Sequence, residues 1–172
     1  LLWWLLRFCR FINNFSYLEN LMQTLFISAI SIVEYESRVN GNPMAIFSEQ
    51  EIIDCQKDTF GCDGGWTTNV LNYVREEGIS NGSTYVFEGA SQVCRKDSNP
   101  PVFRTEKSAC EIFLDDDEEK LRKLIDNVGP VAAVIDVTDG FFDYASGVFY
   151  DPTCRKNDFD HAVVSVLEKV FT

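Results

Sequence analysis

The sequence predicts an α+β protein of two lobes, helical in the first and strand-built in the second. Three observations predict it. Capped helical periodicities occupy the chain up to about residue 77, the period changes after Gly129-Pro130, and short β-branched segments separated by loops follow. With 172 residues, 45% apolar and 24% charged, the chain is long enough for one compact domain or two small lobes sharing a core.

The elements follow in order. Residues 1–15, opening "LLWWLLRFCRFI", look like a targeting segment but are too short and too Arg-interrupted to span a bilayer, and they lack a small-residue cleavage site. They stay unassigned. Ser16-x-x-Glu19 is a capping box, followed by apolar residues at helical spacing that include Leu25, Phe26, Ala29, Ile30 and Val33. A helix over about 17–38 is expected, ending near Asn40-Gly41. A second capping box, Ser48-x-x-Glu51, opens a short helix through Ile52, Ile53 and Cys55. "GCDGGW" is a turn that adjacent glycines permit, and about 67–77 is helical, with Val70, Tyr73 and Val74 inward and Gly78 as its stop. Residues 79–110 read as loops, with turns at Asn81-Gly82 and Pro100-Pro101. "DDDEEKLRKLIDNVGP" is a helix with acids first, bases later and Gly129-Pro130 as its end. "VAAVIDV", "GVFYD" and "HAVVSVL" read as strands.

A net charge of −12 excludes nucleic acid and anionic membrane surfaces as natural partners, and no Gly-rich phosphate loop is present. Six cysteines beside a single histidine, with no close Cys pair, argue against zinc, and no metal or cofactor is expected. Asn14-Phe15-Ser16 and Asn81-Gly82-Ser83 are N-glycosylation acceptors. Together with the cysteines they point to an oxidising compartment, secreted or the endosomal–lysosomal lumen. His161 is the one titratable imidazole and stands at the start of an apolar run. Taken alone it reads as a strand histidine with one face buried.

Several segments carry a resemblance. "SEQEIIDCQKDTFGCDGGW", "VGPVAAVID", "YASGVFYDPTC" and "DHAVVSV" resemble, in order and spacing, the papain-like cysteine peptidases of the cathepsin L type. The resemblance implies the papain-like two-lobed fold, with the helical left lobe at 16–108 intact in part and the β-rich right lobe at 109–172 truncated. It places His161 as the general base of a thiolate–imidazolium pair that attacks a peptide carbonyl. At the nucleophile position this chain has Thr24, and at the oxyanion Gln position Leu18. No Asn follows His161 to orient its ring. Thr24 is therefore not expected to function: it is β-branched, its hydroxyl needs strong base activation, and the helix pattern sets it two turns inside on a polar face with Asn20 and Ser31.

The resemblance also implies a substrate cleft in which Gly64 and Gly65 offer backbone hydrogen bonds to an extended peptide. Thr67, Val134 and Ala162 would line a side-chain pocket, with plain strand packing an equal alternative for the last two. It pairs Cys55 with Cys94 as a disulfide. Cys62 would face Leu21, the partner of Cys154 would fall after Thr172, and Cys9 and Cys110 have no counterpart. Two explanations stand open. One is a peptidase locus whose ends come from an incomplete or misread coding region. The other is a non-catalytic module that holds a peptide, protein substrate or inhibitor in the residual cleft. Self-association through an exposed sheet edge is expected unless a partner covers that edge.

Overall fold

The computed structural model describes residues 19–58, 65–109, 117–155 and 160–166, with side chains of the first helix described from Thr24 onward. The capping box at Ser16, the turn at 61–64, and Cys9, Leu18, Cys62, Gly64 and Cys110 lie outside the described residues.

Helix α1 spans Glu19–Val39. Its buried Phe26, Ala29, Ile30 and Val33 recur at the 3.6-residue period, forming the stripe around which the core assembles. The helix closes through Asn40 N–H to Glu36 O (3.0 Å), and Gly41 takes a positive φ of 86° beyond it.

Helix α2, Glu49–Cys55, begins at Ser48, whose Oγ accepts from Glu51 N–H at 3.0 Å. Only that half of the expected capping box forms. The Glu51 carboxylate turns inward instead, accepting from the Tyr73 hydroxyl (3.0 Å), the Ser80 N–H (2.8 Å) and the Ser80 hydroxyl. Ser48 N–H donates to Ser80 O at 3.0 Å. The reason is burial: Glu51 is inside the fold, and a carboxylate there needs every acceptor position filled.

Helix α3, Thr67–Glu76, buries Val70, Tyr73 and Val74 as its spacing requires. Gly78 ends it with a φ of +81°, and a Cβ there would lie 2.6 Å from Pro101 Cβ. The loops at 79–109 are tied down at several points. Isolated bridges join Phe47 to Asn81 and Ile79 to Phe103, and the rings of Phe47 and Phe103 stack at 5.5 Å. The Cys55–Cys94 disulfide closes a separation of 39 residues. Beside it the Tyr85 hydroxyl donates to Asp54 (2.8 Å) and accepts from Arg95 N–H (3.0 Å).

Helix α4, Glu118–Val128, starts at Asp117, which accepts from Lys120 N–H at 2.9 Å, and stops at Gly129. Strands β1 (Val131–Ile135) and β2 (His161–Ser165) form an antiparallel pair in which Val131 faces Ser165 and Ile135 faces His161. Between them lies a single helical turn, α5, Asp139–Phe142. The expected strand "GVFYD" does not form. Among the described residues no neighbouring strand supplies hydrogen bonds there, and Val148 and Tyr150 are 98% and 83% exposed. Local contacts shape this loop instead: Phe149 packs edge-on against Phe141 and Tyr144, and Asp151 accepts from Thr153 N–H at 2.8 Å.

The buried core is centred on α1, α2 and α3, while α1 also packs against β2 and β1. Among the described residues no helix is long and apolar enough to cross a membrane.

Candidate active site

Two elements 137 residues apart in sequence bring the site together. Thr24 Oγ1, on α1, lies 3.3 Å from His161 Nδ1, on the first residue of β2. Five helical residues, 19–23, precede Thr24, so its hydroxyl lies beyond the turn where a helix start exerts its field. The sequence puts Thr24 on a polar face of the helix with Asn20 and Ser31. Thr24 is half-buried and faces β2, and Ser31 turns its hydroxyl back to Ile27 O at 2.8 Å. Periodicity alone does not distinguish a polar residue that meets a strand, as Thr24 does, from one exposed to water.

Burial holds the His161 imidazolium below its ordinary pKa, and the negative charge of Asp160 offsets part of that shift. Burial therefore favours the uncharged ring. Its contact with Thr24 takes one of two forms: the hydroxyl donates to a bare Nδ1, or Nδ1–H donates to Oγ1. Either way the pair joins two uncharged groups. Nε2 hydrogen-bonds to no other described residue.

The strand register relates two of the residues expected at the cleft. Val134 stands directly opposite Ala162, so the two project on one face of the pair. Ala162 is 4% exposed and belongs to the packed interior, whereas Val134 is 45% exposed. Gly65 is half-buried in the approach to α3, and Thr67, half-buried, is the first residue of that helix. No described hydrogen bond links Gly65 or Thr67 to the His161 strand.

Three residues that hold His161 in place escaped the sequence reading. Asp160 N–H donates to Ile135 O at 3.1 Å, and its Oδ1 accepts from Val137 N–H at 2.9 Å, tying the start of β2 to the end of β1. Asp136 follows β1 directly and is 8% exposed. It accepts from the Arg155 guanidinium at 2.7 and 3.2 Å and from Arg155 N–H at 2.7 Å. Those bonds from Arg155 hold its carboxyl below the usual range. The available signal was the acid flanking each strand, in "VID" and "DHAV". Cys154, next to this clamp, carries an exposed free thiol. Among the described residues no group of three His, Cys, Asp or Glu side chains is arranged to hold a metal ion.

Comparison with known proteins gives a consistent result. The family model "Papain family cysteine protease" matches residues 25–167. Digestive cysteine proteinase 3 of Homarus americanus is 32% identical over 143 residues, which are 81% of this chain and 44% of that protein. Testin-2 of Rattus norvegicus is 32% identical over 127 residues, 69% of this chain and 36% of its own. Among solved structures, digestive procathepsin L 3 of the Tenebrio molitor larval midgut superposes with a TM-score of 0.74 at 33% identity, covering 84% of this chain and 47% of that one. The Carica candamarcensis cysteine protease CMS1MS2, solved in complex with E-64, gives 0.73 at 26% identity, covering 84% and 66%. The chain spans less than half the length of these two curated relatives. With a papain-like fold over most of its length and a family match across the histidine strand, the chain belongs to the papain family of cysteine proteases.

Proposed function

We propose that this chain is a papain-family homologue that binds an extended peptide or inhibitor segment without hydrolysing it. One observation carries the reading: the group 3.3 Å from His161 Nδ1 is a threonine hydroxyl and not a thiol, and burial disfavours the imidazolium that the family chemistry needs. A thiol loses its proton readily beside an imidazole, and a hydroxyl does not. Catalysis through Thr24 would need His161 to act as a strong base, and burial weakens the imidazole as a base. Leu18 in the oxyanion-donor position removes a further contribution, and loss of one such donor costs ~10²–10³ in rate. Peptide binding has different requirements. The resemblance assigns peptide binding to Gly64, Gly65, Thr67, Val134 and Ala162, and none of these has to supply a charged nucleophile.

The assay uses a dipeptidyl fluorogenic substrate under reducing conditions at mildly acidic pH, alongside calorimetric titration of an uncleavable extended peptide. Binding without turnover is expected, and Thr24→Cys alone should not restore activity. Turnover by the parent chain that disappears in His161→Ala would overturn the reading.

The proposed location is secreted or endosomal–lysosomal, supported by the Cys55–Cys94 disulfide. Exposed Val134, Val148 and Tyr150 support self-association of the strand-bearing half. Sedimentation showing only monomer at high concentration would contradict it.

A further inference from the structure

The side-chain amide of Asn81 is used by the fold at one end only. Its Oδ1 accepts from Ser83 N–H at 2.8 Å and from the Ser83 hydroxyl at 2.7 Å. Its Nδ2 donates to no described residue. Because no side-chain nitrogen or oxygen among the described residues is both buried and unbonded, Nδ2 opens to solvent. Other asparagines in the fold work the opposite way. Nδ2 donates to a backbone carbonyl from Asn42 (3.2 Å), Asn69 (2.9 Å), Asn99 (3.0 Å) and Asn127 (2.6 Å). Substitution of Nδ2 in any of those four disturbs a bond of the fold. At Asn81 it disturbs none.

We propose that Asn81 is an N-glycosylation site whose turn carries the glycan without loss of a native contact. The residue lies in Asn81-Gly82-Ser83, the pattern that an N-linked acceptor requires. Its backbone is fixed independently of the side chain, since Asn81 O accepts from Thr84 N–H (3.1 Å) and Tyr85 N–H (3.0 Å). The middle residue packs inward: Gly82 N–H donates to Ile46 O at 2.8 Å, and a Cβ there would lie 3.2 Å from Phe47 O. Ser83 on the outer side is exposed.

In the transfer, Nδ2 attacks the anomeric carbon of an oligosaccharide carried on a lipid diphosphate. The new C–N bond forms as the anomeric C–O bond breaks, the lipid diphosphate leaves with the electron pair, and Nδ2 gives up one proton. The product keeps Oδ1 and one N–H, so both bonds from Ser83 survive. The proposal rests on the lumenal location, which the experiment supplies independently.

The full chain is expressed in eukaryotic cells behind a secretory leader, with a reference acceptor sequon on an appended tag. It is then deglycosylated enzymatically in heavy-oxygen water and mapped by mass spectrometry. Asn81 should emerge as labelled aspartate, with the Cys55–Cys94 disulfide formed. Asn81→Gln and Ser83→Ala should lose that glycan, Ser83→Thr should keep it, and its removal from the parent should leave the urea midpoint unchanged. An unlabelled Asn81 in a chain whose tag sequon is occupied and whose disulfide is formed would overturn the site, whatever the natural compartment proves to be. A midpoint that rises on deglycosylation would overturn the claim that the fold carries the glycan without cost.

Discussion

Replacing Glu49 by Gln should flatten the pH dependence of stability between mildly acidic and mildly alkaline conditions. Glu49 opens α2 immediately after its cap and is half-buried; Glu34 reaches toward the same place from α1, where its Oε1 accepts from Phe47 N–H at 3.0 Å. Neither carboxylate forms an ion pair with a described basic side chain. Burial, and then the charge of Glu34, push the Glu49 carboxyl from 4.5 up to about 7. Glu34 is raised as well, by burial, with the bond from Phe47 offsetting part of the shift. Charge at a helix start is favoured by ~0.3–1 kcal/mol, too little to reverse the burial effect.

The sign follows from linkage. A carboxyl whose folded pKa lies above its unfolded value favours the protonated folded state, so its contribution is complete below about pH 4.5 and is lost as pH rises through about 7. A rise from 4.5 to about 7 corresponds to ~3 kcal/mol at 1.36 kcal/mol per pH unit, and residual solvent contact reduces this to ~1–3 kcal/mol. His161, held low by burial, contributes in the opposite direction, so the informative quantity is the difference between variant and parent. Urea unfolding at about pH 4 and about pH 8.5 measures it through the linear dependence of free energy on denaturant. Glu49→Gln should match the parent at the acid end and exceed it by ~1–3 kcal/mol at the alkaline end. Parallel pH profiles for the two proteins would refute the reasoning.

Three further outcomes follow from the packing. Cys55→Ser should cost ~4 kcal/mol by the loop-closure estimate for a separation of 39 residues, and an unchanged urea midpoint would contradict it. Glu51→Ala strips the acceptor from Tyr73 and from both donors of Ser80, at ~1–3 kcal/mol for each buried group left unmatched. It should abolish cooperative unfolding, whereas a loss below ~1 kcal/mol would show that the network is dispensable. Gly78→Ala adds a Cβ 2.6 Å from Pro101 in a left-handed backbone, and thermal melting should fall by an amount equivalent to ~1–3 kcal/mol.

Much of the fold was legible because its determinants are local. The stripe through Phe26, Ile30 and Val33, the cap at Ser48, the glycine stops after α3 and α4, and the strand character of 131–135 and 161–165 are each set by a few neighbouring residues. The family pattern likewise stands in contiguous motifs, and the resemblance they carry implies the Cys55–Cys94 pair that the structure contains. What only the tertiary structure decided depends on partners distant in the chain. A strand exists only where another strand supplies its hydrogen bonds, so "GVFYD" is a loop despite its composition. Glu51 abandons its local capping role because Tyr73 and Ser80 surround it with donors. The polar stripe of α1 became half of a site because the β1–β2 pair packs there and brings His161 to within 3.3 Å of Thr24. Periodicity reports that a helix face is polar, and only the packing of other elements determines whether that face meets water or an imidazole.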